Sequence, residues 1–165
     1  MTSRLIAAAA FAAMSVSSSL SAADDLASQL PGVWKRTDHV QKIVATGETS
    51  KPMGDKPGGM AIFTRGGHFT FILIADGRKS PASLPPTDPE RIALFSTSFF
   101  GGGTFRIAGD KVTLLYANSA NQAWTGVERT QTMEVSGKTL TWTSGPIKSA
   151  DGKDAVATFT FERLE

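Results

Sequence analysis

The feature that most constrains this chain is a two-residue alternation of side-chain character, clearest from Val127 to Val135. Glu128, Thr130, Thr132 and Glu134 hold one set of positions; Val127, Arg129, Gln131, Met133 and Val135 hold the other. Successive side chains on an extended strand point to opposite faces, so the pattern fits a strand with one wet and one covered face. Alternation and turn residues mark eight such segments, at approximately 33–44, 59–64, 68–75, 104–108, 111–117, 125–135, 138–144 and 155–163. Several joints carry hairpin chemistry: Arg65-Gly66-Gly67, Gly109-Asp110 and Ser136-Gly137 supply residues that tolerate positive φ.

The longest interruption runs from Asp76 to Gly103. It opens with Pro81, Pro85 and Pro86 and then gives a helix signal: Thr87 or Asp88 as cap, Pro89 in the first turn and Glu90 where a capping box needs it. Ile92, Phe95 and Phe99 follow at helical spacing, which predicts a helix over 89–100 with Gly101-Gly102-Gly103 as its stop. The expected fold is all-β: an eight-stranded antiparallel barrel with one short helix between the third and fourth strands. At that strand number the interior is either filled by side chains or holds one small ligand. Most segments are shorter than the roughly 9–11 residues a membrane strand needs.

The N-terminus reads differently. Arg4 precedes the apolar run Leu5–Met14, a Ser-rich stretch follows, and Ser21-Ala22-Ala23 supplies small residues at a cleavage position. This is the order of a secretory signal peptide. Residues 1–23 are expected to be removed, leaving 24–165 as a single domain in the periplasm or secreted. The apolar run is too short to span a bilayer, and no cysteine follows it to take a lipid, so no membrane anchor is expected.

Composition excludes several chemistries. The chain has no cysteine and only two histidines, His39 and His68, so disulfides, thiol catalysis and Cys- or multi-His metal sites are ruled out. No cofactor and no metal are expected. The formal net charge is +2 and the basic residues are scattered, which argues against nucleic acid as a partner. Oligomeric state is left open.

Gly32-Val33-Trp34 opens the first strand in the manner of the Gly-x-Trp start of lipocalins. More specifically, the chain resembles the bacterial and fungal lipocalin-like domain family. Pro52-Met53-Gly54, Pro57-Gly58-Gly59, the run Met60 to Thr64 and Gly67-His68-Phe69 come in that family's order. Gly103-Thr104-Phe105 and Gly137 to Thr141 continue it, so the resemblance covers roughly 30–164. It implies a calycin-type barrel that binds small apolar molecules. Two departures are Leu114-Leu115-Tyr116, where members often carry a histidine, and a helix lying earlier than in lipocalins proper.

With Trp34 inward, as that fold implies, strict alternation turns Arg36 and Asp38 inward and His39 outward. In the third strand Phe69, Phe71 and Leu73 share the inner face, leaving Ile72 and Ile74 outside to be covered by the helix or by a partner subunit. Phe105, Tyr116, Trp142, Phe159 and Phe161 add inward aromatics. The candidate ligand-binding residues are therefore Trp34, Arg36, Asp38, Phe71, Phe105, Tyr116, Arg129, Gln131 and Trp142. A buried guanidinium needs a carboxylate, water or a ligand, so Arg129 either pairs with Asp38 or reads an acid or carbonyl group. Three functions remain. The first is a secreted binder of a small apolar or aromatic molecule. The second is a cofactor-independent isomerase or hydrolase drawing on Asp38, Tyr116 or Arg129. The third is a filled barrel that acts through its surface as an inhibitor or scaffold. No catalytic residue is assigned.

Overall fold

The computed structural model describes residues 26–165; the expected signal peptide lies outside the described residues. In chain order the elements are β1 (Gly32–Ile43), β2 (Thr49–Ser50), β3 (Gly58–Phe63), β4 (His68–Ile74), α1 (Asp88–Ser96), β5 (Ser98–Ala108), β6 (Lys111–Ser119), β7 (Glu128–Ser136), β8 (Thr139–Thr143), β9 (Ile147–Lys148) and β10 (Asp154–Arg163). The long strands pair with their neighbours in sequence from β1 and β3 round to β8 and β10, and β10 pairs back onto β1. The result is a closed eight-stranded antiparallel barrel; β2 and β9 are two-residue extensions of β1 and β10. The helix falls between the third and fourth barrel strands, counted without β2.

Local chemistry explains most element ends. The β5–β6 and β7–β8 hairpins turn at Gly109 and Gly137, with φ of 63° and 58°, where a side chain would be strained. At the start of α1 the Glu90 carboxylate accepts from both the Thr87 backbone N–H and the Thr87 hydroxyl, each at 2.8 Å. The far end of the helix differs from expectation. It stops at Ser96, and Phe99 together with Gly101-Gly102-Gly103 belongs to β5. Those glycines serve packing: a Cβ on Gly103 would lie 1.9 Å from the Leu115 carbonyl oxygen, and one on Gly101 would lie 3.1 Å from the Tyr116 ring. Close strand approach fixes glycine here, a requirement that looks the same in sequence as a helix stop.

A second difference decides what faces the interior. The β1–β10 register shifts between Arg36, opposite Phe161, and Asp38, opposite Thr160. This bulge inserts one residue, and one residue reverses the facing of all that follow. Trp34 and Arg36 point in as expected. Beyond the bulge Asp38 points out and His39 points in, the reverse of the alternation expected from sequence. Asp38 pairs with Lys51 at 3.0 Å, and His39 is buried. His68 faces outward as expected, and β4 keeps its phase, with Phe69, Phe71 and Leu73 buried.

The helix does not cover the outer face of β4. No residue of α1 is buried, and Ile72 remains 47% exposed between its cross-strand neighbours Met60 and Phe100. A single residue, Thr97, carries the chain from α1 straight into β5.

One end of the barrel is sealed. The helical turn Leu26–Gln29 brings Leu26 and Leu30 into the core cluster with Trp34. Trp34 Nε1 donates to the Leu30 carbonyl at 2.9 Å. The Arg163 guanidinium lies over the Trp34 ring, 4.1 Å from its centroid, and donates to the carbonyls of Pro31 and Gln29. Phe63 packs edge-on to Phe105 at 5.4 Å just inside this seal.

Candidate functional site

Inside the other half of the barrel lies a chamber of about 100 Å³. Its wall is mostly aromatic because β4, β5, β6, β8 and β10 each turn at least one ring inward at this level: Phe71, Phe99, Tyr116, Trp142, Phe159 and Phe161. The rings meet largely edge to face, with Phe71 at 5.6 Å from Trp142 and 6.1 Å from Tyr116, an arrangement in which the positive edge of one ring meets the negative face of another. Leu73 and Ala157 complete the apolar wall, and Ser144 is occupied by accepting from the Ala157 N–H at 2.9 Å.

The polar groups are few. Arg129 and Gln131 enter from β7, whose clean alternation placed them correctly. The Arg129 guanidinium stacks on Trp124, 4.2 Å from the ring centroid, and Trp124 packs edge-on to Phe99 at 4.8 Å and Tyr116 at 5.5 Å. Two buried atoms in the wall, Gln131 Oε1 and Trp142 Nε1, have no hydrogen-bond partner. Burial pushes the Tyr116 hydroxyl up from its ordinary pKa, with Arg129 partly opposing the shift, so the phenol stays protonated. Outside the chamber, Trp124, Arg129 and Ile147 are shared with an outer groove of about 450 Å³ that also carries Pro146, Lys148 and Asp154. Arg129 and Trp124 thus form a threshold between a dry inner space and a wetter outer one.

The β1 wall contributes a different kind of group. Arg36 is 1% exposed. It donates from Nη2 to the Ile74 carbonyl, while Nε and Nη1 have no partner. Desolvation pulls its pKa down to about 10. His39 stacks on Phe159 with ring centroids 4.5 Å apart, and its Nδ1 is also buried without a partner. Burial, reinforced by the Arg36 charge, lowers its pKa to about 4. Lys51 holds the Asp38 carboxyl below its ordinary range.

Of the residues expected at a ligand site, Phe71, Tyr116, Arg129, Gln131 and Trp142 meet at the chamber. Trp34 belongs to the sealed end, and Phe105 packs next to it against Phe63. Asp38 is outside the barrel, so the expected Arg129–Asp38 pairing does not form. Arg36 is inside but on the neighbouring wall. Sequence reasoning missed Trp124, at the end of a short 3-10 turn, Ile147, in the two-residue β9, and Phe99, which it assigned to the helix. Asn121 was the available signal for Trp124: its side chain accepts from the Ala123 N–H and starts the 3-10 turn Gln122–Trp124.

No curated protein matches the chain. Among solved structures it is similar to a lipocalin-like protein from Bacteroides uniformis ATCC 8492, at 16% identity and a TM-score of 0.42, covering 82% of this chain and 98% of that one. The profile of the lipocalin-like domain matches residues 31–164, nearly the whole described barrel. The chain therefore belongs to the lipocalin-like domain family.

Proposed function

We propose that this protein, after export, binds a small, largely apolar or aromatic molecule carrying an acid or carbonyl group in its barrel chamber. Lipocalin-like barrels suit small-molecule binding in general; the finer reading rests on one observation. Trp142 Nε1 and Gln131 Oε1 are a buried donor and a buried acceptor without partners in an otherwise apolar wall. Leaving such atoms unpaired costs about 1–3 kcal/mol each, and a ligand with a carbonyl oxygen and a donor group would relieve both. Apolar walls with a few placed polar atoms are the usual make-up of small-molecule sites. The chamber takes a chain or a small ring, and the remainder of a larger ligand extends past Trp124 into the outer groove.

The alternatives carry less. An enzyme reading loses Asp38 to the surface; Tyr116 is a poor base because burial keeps it protonated, and Arg129 is engaged in stacking on Trp124. A scaffold reading calls for a filled interior. The test uses 4-phenylbutan-1-ol, a neutral probe, in isothermal titration calorimetry. Binding to the wild type, weakened tenfold or more by Ala157→Leu, supports the reading; no binding, or binding indifferent to that change, overturns it. Export is tested by N-terminal sequencing of the protein recovered outside the cytoplasm. A start near Asp24 is expected, and a retained Met1 counts against it.

A further inference from the structure

The bulge in β1 has a chemical consequence. Without it, Asp38 would face inward on the same strand as Arg36 and supply a carboxylate. With it, Asp38 is paired to Lys51 outside, and Arg36 stays inside with no ion-pair partner among the described residues. Its surroundings are apolar or neutral. Phe161 lies opposite it in the β1–β10 register, and Leu73 precedes the residue whose carbonyl Arg36 holds. Phe161 and Leu73 both line the chamber. His39, which feels the Arg36 charge, has its pKa held down to about 4 mainly by burial and is neutral at ordinary pH. Asp38 and Lys51 neutralise each other on the outer face, and no carboxylate side chain is buried anywhere among the described residues.

A guanidinium this deeply buried is expected to hold a charged partner, because removing the charge from water costs several kcal/mol and one carbonyl does not compensate it. Arg129 is not in that position. It is half-exposed, it stacks on Trp124, and it lines the open outer groove as well as the chamber. We infer that Arg36, and not Arg129, is the anion-binding residue of the chamber, so that the ligand is a monocarboxylate or similar amphipathic anion entering acid end first. This rests on the chamber being the ligand site. The acid passes between Leu73 and Phe161 to one of the free donors, Nε or Nη1, which lie on different edges of the guanidinium, so that a carboxylate oxygen takes a single charged hydrogen bond there. The remainder of the ligand fills the chamber, where a polar group on it still meets Trp142 Nε1 or Gln131 Oε1, and extends past Trp124. Reaching Arg36 takes a rotamer change of a flanking side chain, which is ordinary on ligand binding.

The experiment pairs 4-phenylbutyrate with 4-phenylbutan-1-ol, which share a tail and differ in charge, and titrates both into wild type and Arg36→Met by calorimetry. The wild type is expected to prefer the acid by about ten- to a hundredfold, the ratio expected of a charged hydrogen bond. In R36M that preference falls to near unity while the alcohol binds as before. R36M is also expected to melt at the same temperature or higher, since it removes an uncompensated charge. Equal wild-type affinities for acid and alcohol would overturn the inference while leaving the chamber itself established as a site. An acid preference that survives R36M and disappears in Arg129→Met would overturn it in favour of the threshold arginine. The wild-type comparison needs no variant, so the inference stays testable even if R36M does not fold. Failure of both probes to bind the wild type overturns the chamber reading, and this inference falls with it.

Discussion

The two halves of the barrel handle their polar groups in opposite ways. At the sealed end each named donor is used: Trp34 Nε1 holds the Leu30 carbonyl, and Arg163 holds two carbonyls while its flat face covers the Trp34 ring. In the chamber half, Arg36, His39, Gln131 and Trp142 each keep a buried atom without a partner. Buried polar groups in folded proteins are nearly always paired, so a cluster of exceptions in one half separates the part that holds the barrel from the part that meets a ligand. The sealed end should therefore be sensitive to substitution in stability, and the chamber half in binding.

The largest expected effect breaks the sealed end. Trp34→Ala removes a ring that is fully buried and anchors both the Leu26–Leu30 segment and Arg163. The loss should be about 3–5 kcal/mol, the usual range for emptying a buried aromatic site, measured as a fall in the urea midpoint. A loss below about 1 kcal/mol would mean that the seal is not what holds the barrel.

Acid provides the next test, on the chamber half. Burial, with the Arg36 charge beside it, holds the His39 pKa down to about 4 in the folded chain, against its ordinary value of 6.5. Between those values the unfolded chain takes up a proton that the folded chain refuses, so stability falls as pH drops from 6.5 towards 4 and this contribution levels off below. The full shift corresponds to roughly 3 kcal/mol by linkage. His39→Leu should flatten the stability curve in that window. Carboxylates with lowered pKa values, such as Asp38, act at lower pH, so the two windows separate. An unchanged slope in His39→Leu would assign the acid sensitivity elsewhere.

The same contrast marks where the sequence was legible. The eight strands, their antiparallel closure and the position of the helix could be read because alternation and turn glycines are local signals. The β7 contribution to the site was readable for the same reason: nothing interrupts its phase, so Arg129 and Gln131 fell on the correct side. β1 was readable only as far as Arg36. Its bulge at Thr37 carries no glycine or proline to announce it, and it is defined by the pairing of β1 with β10 across 120 or so positions, which no local pattern reports. Asp38 and His39 were exchanged by that single inserted residue. Trp124 and Ile147 were missed because a three-residue turn and a two-residue strand are too short to show a period from which to infer a facing.

A smaller effect sharpens the comparison from within the chamber. Gln131→Met keeps side-chain length and removes a buried acceptor that has no partner. Replacing an unsatisfied polar group by an apolar one of similar shape is neutral or favourable, so the melting temperature should stay level or rise by the equivalent of up to about 1 kcal/mol. The corresponding change at the sealed end, Arg163→Met, should lower it. If Gln131→Met instead destabilises the protein by more than about 1 kcal/mol, the amide is part of the architecture.

The smallest effect concerns the residue that the bulge expels. Asp38→Asn removes one partner of an ion pair that is more than a third exposed on the Lys51 side. Exposed pairs are worth about 0–1 kcal/mol because water and salt screen them, and the Asn side chain keeps an oxygen to accept from the His39 N–H as Asp38 does at 2.8 Å. Stability near neutral pH should therefore change by less than about 1 kcal/mol. The acid-over-alcohol preference of the chamber should also be preserved, since the carboxylate points away from Arg36. This last point gives the measurement its value. Were Asp38 able to swing inward and neutralise Arg36 in the unliganded protein, it would compete with an entering acid, and Asp38→Asn would strengthen 4-phenylbutyrate binding severalfold without touching the alcohol. Equal acid affinities in the wild type and in Asp38→Asn are expected from a bulge that keeps its carboxylate outside, with Arg36 left open to a ligand.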